Sequence, residues 1–212
     1  MGLDGGHRCF AFLYSNVFGR LSEKDFGPYR TRLLARAGST TLEIGAGNGL
    51  NLTHYALDRI EHLTLSEPDP HMYKRLRKDR LVVDRPSVRS IQAPADDLPV
   101  ADGSVDSVVS TLVLCSVHDP AASLREIRRI LQPDGRFLFI EHVRSPDESF
   151  AAKQDRGDRW WGKIAGGCHP NRETGAAIRS AGFDIDDGME TFDLKGAWLT
   201  RPFIMGVAMP AA

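Results

Sequence analysis

The chain predicts an α/β fold, a mostly parallel sheet doubly wound by helices on both faces. Three observations carry this. Short apolar runs alternate with longer amphipathic stretches along most of the 212 residues, the pattern of strands followed by covering helices. Gly45-Ala46-Gly47-Asn48-Gly49 lies between a strand-like run and an apparent helix start, where such sheets make their first tight crossover. The segment from Lys195 to Pro202 separates the last two strand-like runs and is too short for a crossover helix, so those runs should pair antiparallel as a hairpin.

Taken in order, residues 21–37 read as a helix, with Ser22 as cap, Leu33, Leu34 and Ala37 on an apolar face, and Pro28 as an interruption. Residues 40–44 form the first strand, followed by the glycine turn and a helix over 49–57. The second strand is His62 to Ser66, ending at Glu67, and a helix over 69–82 follows. Val88 to Gln92 is the third strand, and Val105 to Thr111 is the fourth, apolar enough to be central. Asp119 caps a helix from Pro120 to Leu131, since proline suits the first helical turn. Pro133-Asp134-Gly135 makes a turn, and Arg136 to Glu141 is the fifth strand. Residues 146–171 are polar, with Trp160-Trp161 and Gly166-Gly167 among them, and read as an irregular insertion or a short helix. A helix from Arg172 to Ala181 stops at Gly182, and Phe183–Leu194 and Phe203–Met209 are the final strands. The whole is expected to be one domain: a helical cap over 1–38, a ligand-binding core over 39–143, a substrate-side insertion over 144–171, and a helix with hairpin over 172–212.

Composition removes several classes. A formal net charge of -1 leaves no nucleic-acid footprint. The basic run Arg75-Leu76-Arg77-Lys78-Asp79-Arg80 reads as a solvated helix face. Cys9, Cys115 and Cys168 are odd in number and far apart, which fits a reducing cytoplasm rather than a disulfide framework. Without a CxxC or HxxxH pair, no metal centre is expected. No apolar run approaches the roughly 18 residues of a membrane span, and Met1 to Arg8 lacks an apolar signal core, so no membrane anchor is expected. No apolar stripe is clearly surplus to the core, so the sequence assigns no oligomeric state.

The glycine corner also speaks to chemistry. Glu43 stands just before the first glycine, where a phosphate cradle would not place a carboxylate. The third glycine of a GxGxxG pattern would fall at Leu50, which disfavours a dinucleotide and favours a nucleoside carrying an amino-acid end. Glu67, at the end of the second strand, sits where an acid can take both ribose hydroxyls. Asp96, after the third strand, is either an acceptor for an exocyclic amine of a base or a plain turn acid. Thr111 to Val117 leaves the carboxyl end of the fourth strand, the ligand end of such sheets.

Through LEIGAGNG, SEPDPHM, PADDLP and the fourth-strand segment, residues 40–143 resemble the class I S-adenosylmethionine-dependent methyltransferases. The resemblance implies a Rossmann-like sheet of seven strands whose last is antiparallel, in agreement with the hairpin. It implies that S-adenosyl-L-methionine binds and leaves as S-adenosyl-L-homocysteine. By the same resemblance, Glu43 and the Gly45–Gly49 backbone, Ala46 and Gly47 included, hold the methionine end, Asn51 also binds the cofactor, and Glu67 takes the ribose hydroxyls. Pro68 and Met72 pack near the adenine, Ala95 and Asp96 read its edge, and Thr111, Leu112 and Val117 line the cofactor. Many relatives carry Asp where this chain has Pro94, which weakens the case for Asp96. TLVLCSV, IEHV and GGCHPNRET are further similar to a branch of small actinobacterial and mammalian membrane-associated alkyl-thiol methyltransferases. That likeness implies a small-molecule acceptor, a thiol first, and a place in secondary metabolism. The mammalian members have a hydrophobic anchor; Arg8 to Tyr14 reads instead as a short cap, with Tyr14 either reaching the cofactor carboxylate or plugging an apolar cluster.

Methyl transfer to a thiol needs in-line placement and exclusion of water. A thiol with a pKa of about 8.5 also gains from a nearby proton acceptor. His142, at the end of the fifth strand, is the first candidate, and a loop-anchoring hydrogen bond is its alternative. His169, in Gly166-Gly167-Cys168-His169-Pro170, is the second, and an exposed loop histidine is its alternative. Direct transfer requires no cysteine nucleophile, and Cys115 reads as a small buried hydrophobe. Arg172 and Glu173 are expected to pair at a helix start, and Trp160 with Trp161 either wall a substrate pocket or pin the insertion to the sheet. Oxygen, nitrogen or carbon acceptors, and a non-catalytic S-adenosylmethionine-binding module, are the alternatives. A nicotinamide oxidoreductase is disfavoured by Glu43 and Leu50.

Overall fold

The computed structural model describes residues 19–194 and 197–211. Eight strands form its sheet: β1 (Thr40–Ile44), β2 (His62–Ser66), β3 (Val88–Ile91), β4 (Val105–Thr111), β5 (Leu131–His142), β6 (Phe183–Ile185), β7 (Glu190–Phe192) and β8 (Phe203–Pro210). Their order is β3-β2-β1-β4-β5-β8-β6, and β7 also pairs with β8. The first five strands are mutually parallel. β8 runs antiparallel to β5, β6 and β7. The run expected as one strand over 183–194 is broken at Asp186-Asp187-Gly188, but both halves lie on the same edge of β8, so the sheet keeps seven rows.

Central strands read as continuous apolar runs because both faces are covered. Phe137 and Phe139 of β5 point into one core with Leu124, Ile127 and Ile130 of α4 (Pro120–Ile130) and Ile178 of α6 (Thr174–Ser180). Leu138 and Ile140 point the other way, toward Phe26, Leu33 and Leu34 of α1 (Gly19–Leu34). Asp119 caps α4 as expected, its Oδ1 accepting from the Ala122 N–H at 3.0 Å.

Several helices depart from the expected spans. α1 begins at Gly19, so Ser22 lies inside it, and it continues through Pro28 before ending at Leu34. Burial of Phe26, Leu33 and Leu34 offsets the one helical hydrogen bond that proline removes. In place of a helix over 49–57 there are two 3-10 turns, Leu52–His54 and Leu57–Arg59. The helix expected over 69–82 is split into α2 (Pro70–Leu76) and α3 (Arg80–Val83), because Asp79 turns its side chain onto the Leu81 N–H at 2.8 Å and starts a new helix. The turn expected at 133–135 lies within β5, where the pairing to β4 slips between Val105 and Ser107. The polar stretch read as an irregular insertion or a short helix is a helix, and a longer one, of 17 residues: α5 (Glu148–Ile164), capped by Asp147. Among the described residues no helix is long and apolar enough to cross a membrane.

Candidate active site

β1 lies between β2 and β4, so the strand order reverses at this point and opens a crevice at the carboxyl ends. The glycine corner sits there. Gly45, Gly47 and Gly49 have φ of +56°, +60° and +84°, values that glycine alone adopts without strain. A Cβ at Gly45 would lie 2.6 Å from Val113 Cγ2, and one at Gly49 would lie 2.8 Å from Leu52 Cδ1. A Cβ at Gly47 would meet nothing within 4 Å. Two of the glycines are therefore required by packing, while the third opens onto space that a ligand can fill. In the same loop Asn48 Oδ1 is buried without a hydrogen-bond partner.

Glu67 leaves β2 facing this loop. Gly47 N donates to its Oε2 at 2.7 Å and Asp69 N donates to its Oε1 at 2.8 Å. Each oxygen retains a lone pair for a ligand hydroxyl. Burial raises the Glu67 carboxyl to about 7, against the pull of those two N–H groups. Pro68 follows, and Met72 is buried in the first turns of α2, whose cap is Asp69. Beyond β3, Ala95 is buried and Asp96 is exposed. Ala46 is buried, and Thr111, Leu112 and Val117 are half-buried at and beyond the end of β4. The expected cofactor residues thus gather at the carboxyl ends of four neighbouring strands. Tyr14 lies outside the described residues.

Glu43 is braced inside the protein. Its Oε1 accepts from Asn51 Nδ2 at 3.0 Å and its Oε2 from the Tyr55 hydroxyl at 2.7 Å. Asn51 Nδ2 also reaches Thr111 Oγ1 at 3.1 Å, and Arg30 Nη1 donates to Asn51 Oδ1. Burial raises Glu43 to about 7, while Tyr55, Asn51 and Arg30 pull it down. The network ties α1, β1, the following turn and β4 together. Arg30 and Tyr55 carry no sequence signal, because one sits on a charged helix and the other in a segment expected to be helical.

Glu141 is a third buried acid; it lies within the IEHV motif, but the sequence assigns it no role. Its Oε1 accepts from Ser110 Oγ at 2.6 Å, Val113 N at 3.0 Å and Leu114 N at 3.1 Å. This grip spans Leu112, a non-glycine residue at φ 59°, a conformation tolerated only where the surroundings impose it. Oε2 is buried without a partner, and burial holds the carboxyl above its ordinary value.

The catalytic candidates lie beside this corner. His142 is buried at the end of β5 with Nε2 3.4 Å from Cys168 Sγ, and its Nδ1 is buried without a partner. Cys115, His142 and Cys168, all buried, bring their ligand atoms within 4.8 Å of one another. This is a group that could hold a metal, where no metal centre was expected. Burial pushes the Cys115 thiol up. Trp161 Nε1 donates to Cys168 Sγ at 3.3 Å, a bond between two residues of the insertion, whereas Trp160 is exposed. His169 is partly exposed, and its Nδ1 faces the Asp158 carboxylate at 2.9 and 3.1 Å. The His169 backbone N donates to Cys115 O at 2.8 Å, which sets the two loops side by side. Arg172 does not pair with Glu173; its Nη1 donates to Leu114 O, and Glu173 heads α6 without a side-chain cap bond. Gln154 of α5, fully buried, donates from Nε2 to Val143 O and Pro170 O at 3.1 and 3.0 Å, and so fixes the loops on either side of the insertion. Asp158 and Gln154 give no signal in the sequence, because the stretch reads equally as irregular chain or a short helix and so no inward face is defined.

Residues 42–139 match a family profile described as a methyltransferase domain. The human thiol S-methyltransferase TMT1B is 39% identical over 174 residues, spanning 79% of this chain and 69% of that protein. The crystal structure of geranyl diphosphate C-methyltransferase from Streptomyces coelicolor A3(2), which contains S-adenosyl-L-homocysteine, superposes with a TM-score of 0.69 at 15% identity, covering 89% of this chain and 79% of that one. The [4+2]-cyclase SpnF superposes with a TM-score of 0.69 at 19% identity, covering 86% and 80%, so the fold by itself does not fix the chemistry. Fold, glycine corner and relatedness together define an enzyme that moves a methyl group onto a small molecule. The chain belongs to the class I S-adenosylmethionine-dependent methyltransferases, and within them it is related to the mammalian thiol methyltransferase branch.

Proposed function

We propose that this enzyme methylates the sulfur of a small thiol. The observation that carries the reading is the 39% identity to human thiol S-methyltransferase TMT1B across 79% of the chain. The site is compatible with it. The open space before Gly47 and the spare lone pairs of Glu67 fit the methionine end and the ribose of S-adenosylmethionine, with Pro68, Met72, Ala95 and Asp96 toward the adenine. Ala46, Thr111, Leu112 and Val117 wall the crevice, while Glu43 and Asn51 hold the corner in shape rather than offering free groups to it. S-adenosylmethionine, when bound, supplies a methyl group already activated by its sulfonium, so the protein's work is placement, water exclusion and removal of one proton.

For that proton, His169 is better placed than His142. Asp158 holds His169 Nδ1, which fixes the tautomer and leaves Nε2 as the accepting nitrogen. His142 turns its Nε2 to Cys168. The chain acts as one domain, since β8 near its end pairs with β5 of the core. Cys115 and Cys168, free and buried among the described residues, fit a reducing compartment, and we assign the cytoplasm. A panel of small thiols, phenols and amines, incubated with enzyme and methyl-labelled donor, tests the reading. Label should enter thiols first; transfer confined to phenols or amines would refute the thiol acceptor.

A further inference from the structure

The buried Cys115, His142 and Cys168 come from the loop after β4, the end of β5 and the loop between α5 and α6. Neutral thiols packed on an imidazole would account for the contact alone, but four further features go beyond packing. The donors are two thiols and one imidazole with no carboxylate, a set that selects zinc-class cations over magnesium or calcium. With metal–sulfur bonds of about 2.3 Å and a metal–nitrogen bond of about 2.0–2.1 Å, tetrahedral geometry places sulfur and nitrogen about 3.6 Å apart and two sulfurs about 3.8 Å apart. Here His142 Nε2 and Cys168 Sγ are 3.4 Å apart and all three atoms lie within 4.8 Å, so side-chain adjustment of about 1 Å closes the site. Two thiolates and a divalent cation are neutral together, which removes most of the cost of burying charge. Trp161 Nε1–H donates to Cys168 Sγ at 3.3 Å, an interaction that favours the anionic sulfur a metal needs.

We propose that Cys115 Sγ, His142 Nε2 and Cys168 Sγ bind one zinc-class divalent cation and leave a fourth position for the acceptor's sulfur. Three protein ligands with an open fourth place is the arrangement of reactive rather than purely structural zinc sites. The second half of the proposal rests on the thiol reading above. A thiol entering the fourth position gives its proton to solvent water. A sulfur lone pair then forms the new carbon–sulfur bond to the methyl group. The methyl–sulfonium bond breaks, its electron pair stays on the donor sulfur, and the thioether product is a weaker ligand that leaves.

The test uses the full chain purified without thiol reductant, stripped with a chelator and titrated with Co²⁺ and Zn²⁺. About one equivalent should bind, with tetrahedral cobalt bands and sulfur-to-cobalt charge transfer, and added 2-mercaptoethanol should intensify the latter. Cys115→Ser and Cys168→Ser should each weaken cation binding at least roughly 100-fold, with Cys9→Ser as the control; calorimetry with S-adenosylhomocysteine reports whether each variant is folded. Should a variant fail to fold, the wild-type spectrum decides alone. A wild type that binds no cobalt, or cobalt bands that survive in a folded variant carrying both Cys115→Ser and Cys168→Ser, would overturn the site. Cobalt bands indifferent to thiol would overturn the open position. Undiminished thiol methylation by the chelated protein would refute the cation's role but not the thiol acceptor, whereas a cation-loaded enzyme that methylates no thiol would refute the acceptor but not the site.

Discussion

Glu67 should make S-adenosylhomocysteine binding depend on pH near neutrality. Its carboxyl stands at about 7 because it is buried, and ribose hydroxyls donate best to its ionised form. Binding at lower pH must therefore first expel a proton. The apparent dissociation constant is raised by 1 + 10^(pKa − pH), which is about 11 at pH 6 and about 1.1 at pH 8. Affinity should fall roughly tenfold over that interval, about 1.4 kcal/mol. Glu67→Gln removes the titration. It also turns an amide NH₂ toward either Gly47 N–H or Asp69 N–H, both of which now meet a carboxylate oxygen. The variant should bind about 10- to 100-fold more weakly at pH 8, the effect of losing one buried acceptor at about 1–3 kcal/mol, and its pH profile should be flat. Glu43 also stands at about 7 but faces Asn51 and Tyr55, so any contribution from it would persist in the variant and be visible there. Isothermal calorimetry from pH 6 to 8, in buffers of different ionisation enthalpy, measures both the affinity and the proton released. Wild-type affinity constant within twofold over this range, or a Glu67→Gln slope as steep as the wild type's, would refute the role of Glu67.

Gly47→Ala places its methyl group in open space at φ +60°; it should cost only about 1–2 kcal/mol of stability yet weaken S-adenosylhomocysteine binding at least tenfold. Gly45→Ala, which meets Val113 at 2.6 Å, should lose more stability in urea denaturation than Gly47→Ala, and the reverse order would contradict the packing. Asp158→Asn should lower kcat about 10- to 100-fold with the donor's KM little changed, since it loosens His169 and leaves the crevice intact; unchanged single-turnover rates would remove His169 from proton transfer. Glu141→Gln keeps an oxygen for Ser110, Val113 and Leu114 and should unfold within about 1 kcal/mol of wild type, whereas Glu141→Ala strands those donors and should cost about 3 kcal/mol or more. Equal losses in the two variants would show that the grip on Leu112 is unimportant.

The parallel strands were legible because their apolar runs face two cores at once, as Leu138 and Phe139 do on opposite sides of β5. The glycine corner was legible because no other residue type takes those φ values cheaply. α5 was obscure for the opposite reason. Its buried face offers little more than Ala151 and Gln154, and Gly157 sits in its middle because a Cβ there would lie 2.7 Å from Leu199 Cδ2. The Cys–His–Cys cluster was invisible to spacing rules, since 26 positions separate even His142 from Cys168 and only the sheet brings them together. Glu43 was readable as an acid at the corner but not as a brace, because its partners Tyr55 and Asn51 come from a turn whose shape no periodicity encodes.

β8 is synthesised after every other strand of the sheet, yet it fills an interior row, with β5 on one side and β6 on the other. A nascent polypeptide emerging from the ribosome must hold that slot vacant, with the β5 backbone exposed along its length. Premature termination anywhere before Phe203 would leave a sticky, half-built sheet rather than a smaller working enzyme. A chain stopped short of that row should aggregate or be degraded faster than the longer one, a difference that pulse-chase labelling would register.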